Sequence, residues 1–321
     1  MQLGLLTVPF HSKQLNEVLP YLSSLGITTL ELGTGGYPGA GHIDPDLLLE
    51  NEDERKSLLK LLSDYNMSIS ALACHGNSVS PDKELATRSD AELRKTIKLA
   101  SLLGVKTVIT FSGCPGGSKD DKMPNWVTCP WPEEYLKVLD YQWNEVLFPY
   151  WKELNDYAGG YGVRIAFEMH PGFCVYNTET MLKLRNACGE NLGANVDPSH
   201  LVWQGIDVPL AIKTLGKAVF HFHAKDTKLD LHNVAVNGVL DTKHYGDEIN
   251  RSWIFRSCGF GMTREKWCEI ITALKLVGYD GAISIEHEDS VMSTTEGLEK
   301  AVKFLKDIII YEAKPNSMWW A

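Results

Sequence analysis

The chain has 321 residues and a mass of 35.8 kDa, enough to bury a large core in either two domains or one α/β barrel. Its 31 Lys and Arg residues against 41 Asp and Glu residues give a net charge of −10, which argues against nucleic acid or an anionic membrane as the main partner. Seven cysteines without a CxxC pair, no basic leader and no apolar run of roughly 18 residues predict a cytoplasmic protein with reduced thiols.

Short apolar runs alternate with amphipathic segments along the chain. The apolar runs predict eight strands, at 3–8, 28–33, 68–74, 106–112, 164–169, 192–197, 218–223 and 281–287. The amphipathic segments predict eight helices, at 13–26, 52–66, 90–104, 133–159, 178–189, 207–215, 263–277 and 294–312. Asn51 and Ser89 fit helix starts, since each has a glutamate three residues on, and Gly26, Gly104 and Gly278 fit helix ends.

Strict alternation of eight strands with eight helices predicts a parallel sheet that is covered by helices on both faces. Eight repeats without a break in composition predict closure into a single (β/α)8 TIM barrel that spans residues 1–321. A doubly wound open sheet is the competing architecture. It requires a glycine phosphate loop after an early strand, and the segment GTGGYPG at 33–39 lacks GxGxxG spacing and is not followed by a helix.

Two connections are long, at 112–132 after the fourth strand and at 227–262 after the seventh. Loops that follow strand C-termini rise over the catalytic face of such a barrel. Their aromatic residues are therefore expected to wall or cover a pocket, with simple packing of the loops onto the rim as the alternative. These residues are Trp126, Trp131, Trp253 and Phe255.

Four residues at strand ends have side chains that bind metals: Glu168, Asp197, His223 and Glu286. Each lies at the inward-facing end of one of four consecutive strands, and adjacent strands are about 4.8 Å apart, so the four can converge on one ion. Three carboxylates and one imidazole suit Mn²⁺ or Mg²⁺ and tolerate Co²⁺ or Zn²⁺. Taken singly, each residue also has a structural explanation, as a salt-bridge partner, a turn starter or a core histidine.

The residue order in this region resembles the xylose isomerase-like TIM-barrel superfamily, and specifically its sugar phosphate isomerase/epimerase group. The order is Glu168, Asp197-x-x-His200, His223 in HFHAKD and Glu286 in SIEHED, and the likeness spans essentially the whole chain. The resemblance implies that Glu168, Asp197, His223 and Glu286 hold one divalent cation and that His200 contacts a substrate oxygen. It also implies that Glu168 and Glu286 exchange protons with one carbon of a ketose through an enediolate.

Further polar side chains are candidates for substrate binding. Lys225 shares the strand face of His223 and is expected to hold a substrate oxygen, with a salt bridge to Asp197 or Glu288 as the alternative. His75 and His170 are candidates for the far end of a sugar.

Arginines of the seventh loop, Arg251 and Arg256, are candidates for binding a phosphate or carboxylate of the substrate. Alternatively, the two arginines form salt bridges with carboxylates of the same loop. His11 and Glu31 also lie at strand ends and are interpreted as structural rim residues.

The predicted function is that of a metal-dependent sugar isomerase or epimerase acting on a small-molecule keto-sugar or polyol. Epimerases of the resembled group have an arginine soon after the histidine ligand, where this chain has Thr227, Lys228 and Leu229. A metal-dependent lyase or dehydratase acting on a 3-keto-glycoside or inosose is therefore an alternative.

Two further functions and one assembly question stay open from sequence. An apurinic-endonuclease-like DNA-repair enzyme of the three-zinc type would need more histidine ligands and a basic face, against the charge of −10. A non-catalytic sugar-binding barrel is another alternative. Trp319 and Trp320 near the end of the sequence leave a homo-oligomer open.

Overall fold

Eight parallel strands form a closed barrel in the computed structural model, which describes residues 1–313 and 320. The barrel strands are β1 (Gln2–Leu6), β2 (Thr29–Gly33), β3 (Ser68–Ala73), β4 (Thr107–Thr110), β5 (Arg164–Glu168), β6 (Leu192–Val196), β7 (Val219–Ala224) and β10 (Ala282–Ile285). They pair in chain order, and β10 closes the ring between β7 and β1. The predicted barrel is confirmed, and the open-sheet alternative is wrong.

Helices surround the barrel and connect its strands. They are α1 (Leu15–Ser24), α2 (Pro45–Glu50), α3 (Glu52–Asp64), α4 (Lys83–Leu103), α5 (Glu134–Asp140), α6 (Phe148–Gly160), α7 (Thr178–Cys188), α8 (Pro198–Val202), α9 (Val208–Leu215), α10 (Leu231–Asn237), α11 (Arg264–Leu276) and α12 (Thr294–Lys306). A π-helical stretch, Tyr141–Leu147, joins α5 to α6. The short helices α2, α8 and α10 were not predicted. None of the helices within the described part of the chain is both long and apolar enough to cross a bilayer.

The start of α4 differs from the prediction. Asp82 caps this helix by accepting hydrogen bonds from the N–H groups of Glu84 and Leu85, whereas Ser89 lies buried inside it. The helix begins at Lys83, about two turns earlier than expected, because the polar segment before Ser89 is itself helical. Asn51 caps α3 as predicted, and Gly104 ends α4 with a positive φ of 72°.

Side chains of the barrel strands alternate between the inside of the barrel and the helix layer. On β5, Phe167 packs edge-to-face on Trp151 of α6, with ring centroids 4.5 Å apart. Its neighbour Ala166 belongs instead to a separate buried cluster with Ala71, Ile109 and Phe220, all from barrel strands. This cluster fills the interior below the C-terminal mouth, where Glu168 follows Ala166 on the same face.

The two long loops differ in their secondary structure. Residues 112–132 contain no helix or strand, whereas the loop after β7 contains β8 (Asp226–Leu229) and β9 (Trp253–Arg256), an antiparallel pair that closes around α10. Trp320 is exposed, and Trp319 lies outside the described residues, so the homo-oligomer that these tryptophans leave open stays a prediction.

Candidate metal and active site

Four side chains from four neighbouring strands meet at the C-terminal mouth of the barrel. Glu168 ends β5, Asp197 follows β6, His223 lies near the end of β7, and Glu286 follows β10. One ligand atom from each lies within 4.8 Å of the other three. The structure therefore brings together all four residues that the sequence predicts as metal ligands.

Three atoms of this group are buried and make no hydrogen bond of good geometry within the described part of the chain, although a charged or polar group lies within 3.2 Å of each: Asp197 Oδ2, His223 Nδ1 and Glu286 Oε2. Buried polar atoms are nearly always partnered, so three adjacent exceptions need an explanation. The other oxygen of Asp197 caps α8 by accepting from the Ser199 N–H at 2.8 Å, and Asp197 Oδ2 lies 3.2 Å from Lys225 Nζ. The set of three carboxylate oxygens and one imidazole nitrogen fits a divalent cation.

Glu31 sets the orientation of the His223 ring. The His223 Nε2–H donates to the Glu31 carboxylate at 2.9 Å, so that Nδ1 faces Glu286 at 3.0 Å and Glu168 at 3.3 Å. Glu31 is fully buried and also accepts from Ser284 Oγ at 3.0 Å. From sequence Glu31 is interpreted as a structural rim residue, whereas the structure places it against His223, a predicted ligand. The sequence signal for this role was that Glu31 is the one charged residue in the strand segment TTLELG.

Histidines keep Glu168 ionised. Burial alone would raise its pKa, but hydrogen bonds from His200, His223 and His75 hold the pKa well below its usual range. His200 Nε2 lies 3.0 Å from one carboxylate oxygen, and His75 Nε2 lies 2.9 Å from the other. Glu168 is consequently available as an anionic ligand or as a base at neutral pH.

Lys225 supplies the compensating positive charge. Its ammonium lies 2.9 Å from Glu288, 3.0 Å from Glu286 and 3.2 Å from Asp197, so both predicted salt bridges are present. Burial opposes the charge of Lys225, but these carboxylates raise its pKa well above the usual value. For Glu286, burial raises the pKa and the Lys225 charge more than reverses this, so that glutamate is ionised as well. Burial raises the pKa of Asp197 to about 7 despite Lys225.

A cavity of about 170 Å³ opens over this group. Three of the predicted substrate-binding residues line it, His75, His170 and Lys225, together with Glu168 and Glu286. The rings of His170 and His200 lie 4.0 Å apart, so His200 stands directly behind the wall. Burial lowers the pKa of both histidines, and their neutral imidazoles can donate and accept hydrogen bonds.

The two predicted arginines lie elsewhere. Arg251 is buried, its guanidinium packs 4.4 Å from the Tyr245 ring and 4.6 Å from the Trp253 ring, and it donates to the carbonyls of Trp253 and Lys243. Arg256 lies 3.4 Å from Glu248. Both line a different cavity of about 740 Å³ beside β8 and β9, which contains none of the four ligand residues.

Aromatic residues of the two long loops fall into two groups. Trp126 and Trp253 line a cavity of about 410 Å³ beside the metal-ligand group, and Phe255 packs edge-on to His200. Trp131 is 75% exposed and lines none of these cavities. His11, which also follows a strand, packs edge-on to His42, with ring centroids 4.8 Å apart.

Comparison with known proteins identifies the family. The family model described as xylose isomerase-like TIM barrel matches residues 19–308. YfiH of Bacillus subtilis strain 168, an uncharacterized protein, is 41% identical over 312 residues, which cover 96% of this chain and 99% of YfiH.

Two solved structures share the fold with a TM-score of 0.63 each. One is the "probable 3-DHS dehydratase AsbF involved in the petrobactin synthesis" of Bacillus anthracis, 17% identical, with 95% of this chain and 99% of AsbF covered. The other is the IolI protein with a bound zinc atom, 20% identical, with 96% of this chain and 98% of IolI covered. At these identities the likeness shows the common barrel.

Proposed function

Since the chain belongs to the xylose isomerase-like TIM-barrel family, we propose that it is a metal-dependent sugar isomerase or epimerase. It would move a proton on a keto-sugar or related polyol through an enediolate. The observation that carries this proposal is the convergence of four ligand atoms, within 4.8 Å of one another, at the barrel mouth.

Glu168, Asp197, His223 and Glu286 would hold one divalent cation. Their oxygen-rich set favours Mn²⁺ or Mg²⁺ and accommodates Co²⁺ or Zn²⁺, the last being the metal found with IolI. When bound, such an ion stabilises negative charge on a neighbouring carbonyl oxygen and so acidifies the adjacent C–H.

Proton transfer would belong to the two glutamates. Glu168 and Glu286 reach the mouth from separate strands and are both held in the ionised form by neighbouring donors. One carboxylate can remove a proton from a substrate carbon, and either the same group or the other can return it. A positioned acid or base of this kind adds roughly 10²–10⁴-fold to the rate.

Substrate hydroxyls would be held by the residues around the cavity of about 170 Å³. His75, His170 and Lys225 line it with donors and acceptors, and His200 lies behind His170. Phe111 forms an apolar wall that is stacked on Phe173 at 4.2 Å. This mixture of an apolar wall and a few directed polar groups is typical of small-molecule sites.

Elimination is the second candidate, because this chain has no arginine where epimerases of the resembled group have one, soon after the histidine ligand. Residues 227–229, which stand at that place, do not line this cavity either. The Thr227 hydroxyl donates to the Ile254 carbonyl at 3.0 Å, and Lys228 lines the separate 740 Å³ cavity beside β8. A lyase or dehydratase would use the same base and metal, but the enediolate would expel a β-substituent instead of being reprotonated. AsbF, whose name describes a dehydratase, has this fold.

Product analysis separates the two reactions. The Mn²⁺-loaded protein would be incubated in D₂O with a panel of ketoses, inososes and 3-keto-glycosides and followed by NMR. Deuterium at one carbon with inversion or a shifted carbonyl supports isomerase or epimerase activity, and loss of water or an aglycone supports elimination. Absence of any exchange across the panel contradicts both.

Matched variants assign the chemistry to the site. Glu168→Gln and Glu286→Gln are each expected to lose at least roughly 10²-fold in turnover, since each removes a carboxylate. Glu269→Gln, an exposed glutamate that pairs with Lys266, is the control and should retain full turnover.

A further inference from the structure

The glycine-rich segment GTGGYPG at 33–39 forms a tight turn at the mouth of the barrel, directly after β2. Gly35 and Gly39 close the turn as a small antiparallel bridge, in which the Gly35 N–H donates to the Gly39 carbonyl at 3.1 Å. The segment lacks the spacing of a phosphate loop, and the proposed reaction gives it no role. At its tip, Tyr37 and Pro38 line the cavity of about 170 Å³ over Glu168.

This turn is fastened to the residue that follows β3. The Tyr37 N–H donates to the His75 carbonyl at 2.7 Å, and the Gly36 N–H donates to the Glu92 carboxylate at 2.8 Å. A Cβ at Gly36 would collide with the His75 carbonyl, and its φ of 63° also favours glycine. Because the His75 side chain lies 2.9 Å from Glu168, the turn has a defined position relative to the proposed base.

Tyr37 offers its ring to the cavity. The residue lines the cavity and is 66% exposed, so its ring is open to a ligand there. The Phe111 ring lies 6.1 Å away at an angle of 53°, and Tyr37 therefore extends the apolar wall that Phe111 forms. The other apolar residues that line the cavity are Leu6, Val8 and Pro38. An open tyrosine ring within such a wall is a surface on which a substrate can stack.

The order of the strands places this wall across the barrel from the acidic groups. Leu6 ends β1 and Tyr37 follows β2, and these strands lie opposite β5 and β6 in the closed ring. The ends of β5 and β6 carry Glu168 and Asp197. A ring of carbon atoms that bears hydroxyl groups matches such a cavity, because its C–H bonds form a flat apolar face and its oxygens lie along its edge.

We propose that Tyr37 stacks on the substrate and that this substrate is a cyclic polyhydroxy ketone, not an open-chain ketose. The C–H face of the ring lies against Tyr37, and the edge that bears the ketone faces Glu168 and Glu286. The orientation of the reacting edge rests on the proposed function, whereas the preference for a ring rests on Tyr37 and the wall around it.

Binding of unreactive polyols tests this inference without turnover. Isothermal titration of the Mn²⁺-loaded full chain would compare myo-inositol and scyllo-inositol, which are cyclic, with sorbitol and mannitol, which are open chains with the same number of carbon atoms. At least one inositol is expected to bind about tenfold or more tightly than either open chain, because it is rigid and can stack. Equal affinities for all four polyols, or no binding of either inositol, would overturn the inference.

Variants of Tyr37 locate the stacking surface. Tyr37→Ala is expected to weaken inositol binding roughly three- to tenfold, whereas Tyr37→Phe keeps the ring and should bind like the parent. Tyr135→Ala is the matched control, since Tyr135 is an exposed tyrosine of α5 that lines none of the cavities described above. An inositol affinity of Tyr37→Ala equal to that of the parent would overturn the stacking role.

The two proposals fail in different ways. If no keto-sugar or polyol is turned over but the preference for inositols and its loss in Tyr37→Ala persist, the proposed reaction is wrong and the stacking surface stands. If open-chain ketoses are turned over and inositols bind no better than sorbitol, the preference for a ring is wrong and the proposed reaction stands.

Discussion

Asp226 organises the loop after β7 through one fully buried carboxylate. It accepts hydrogen bonds from the backbone N–H groups of Thr227, Gly259, Gly261 and Met262 and from the indole N–H of Trp267. A Cβ at Gly261 would collide with the Thr227 carbonyl, so this close approach requires glycine. The aspartate thus fastens the end of the loop to its beginning, next to Lys225.

Asp226→Asn should lower the free energy of unfolding by about 2–4 kcal/mol, because the amide NH₂ would face N–H donors that need an acceptor. Urea denaturation followed by circular dichroism measures the change. Asp53→Asn, at a side chain that is 94% exposed, is the control and should stay near the parent value. Equal stability of Asp226→Asn and the parent protein would show that the five hydrogen bonds are not needed.

Glu31→Gln should weaken Mn²⁺ binding about 10–100-fold. The variant keeps the volume of Glu31 but removes the charge that orients His223, and partners behind a ligand typically matter by this factor. Calorimetric titration gives the affinity. Ser284→Ala, which removes only one hydrogen bond to Glu31, should have a smaller effect. A Glu31→Gln affinity equal to that of the parent would refute the orienting role.

The four converging residues could be predicted from sequence because each one ends an apolar strand. The partner of His223 could not, since Glu31 lies 192 residues earlier and only the closed barrel brings the two together. Arg251 illustrates the opposite difficulty. A basic residue in a loop suggests anion binding. The sequence does not show that Arg251 packs on the rings of Tyr245 and Trp253, because this contact depends on the folded loop.

At the level of elements, all eight barrel strands were predictable because buried parallel strands are continuous apolar runs. The pair β8–β9 was not, since its strands are separated by more than twenty residues and their sequences, such as DTKL, do not show the apolar run of a buried strand. The start of α4 was missed for a related reason: the segment from Lys83 is polar and shows little apolar periodicity.

Trp151 is expected to dominate the packing of α6 on the barrel. It is fully buried, packs on Phe167 of β5, and its indole N–H donates to the Ser112 carbonyl at 3.0 Å. Trp151→Ala should therefore lower the free energy of unfolding by about 3–5 kcal/mol, the usual cost of removing a large core side chain.

Urea denaturation is the measurement, and Trp131→Ala at an exposed position should change stability by less than about 0.5 kcal/mol. A loss below about 1 kcal/mol for Trp151→Ala would mean that α6 is held to the barrel mainly by other contacts.

For the whole molecule, the alternation of eight strands and eight helices was sufficient to predict ring closure. The ring also means that Glu168, Asp197, His223 and Glu286 link four neighbouring strands, β5, β6, β7 and β10. A cation bound by all four should therefore stabilise the folded barrel as a unit, since the unfolded chain does not hold these residues together.

Thermal unfolding should reflect this linkage. Mn²⁺ at a hundredfold excess over its dissociation constant is expected to stabilise the protein by about 2.7 kcal/mol relative to the EDTA-treated protein. Differential scanning calorimetry with and without metal measures the shift, and Glu269→Gln should show the same shift as the parent. Identical unfolding with Mn²⁺ and with EDTA would argue against a metal that links the strands.

The most direct test of the proposed metal site is the metal content of the protein after Mn²⁺ loading and gel filtration. Inductively coupled plasma mass spectrometry measures this content. The parent chain should retain about one equivalent, whereas Asp197→Asn and Glu286→Gln should each retain roughly a tenth or less, because each loses an anionic ligand. A parent chain that retains no Mn²⁺, Mg²⁺, Co²⁺ or Zn²⁺, or variants that retain as much as the parent, would contradict a cation held by these four side chains.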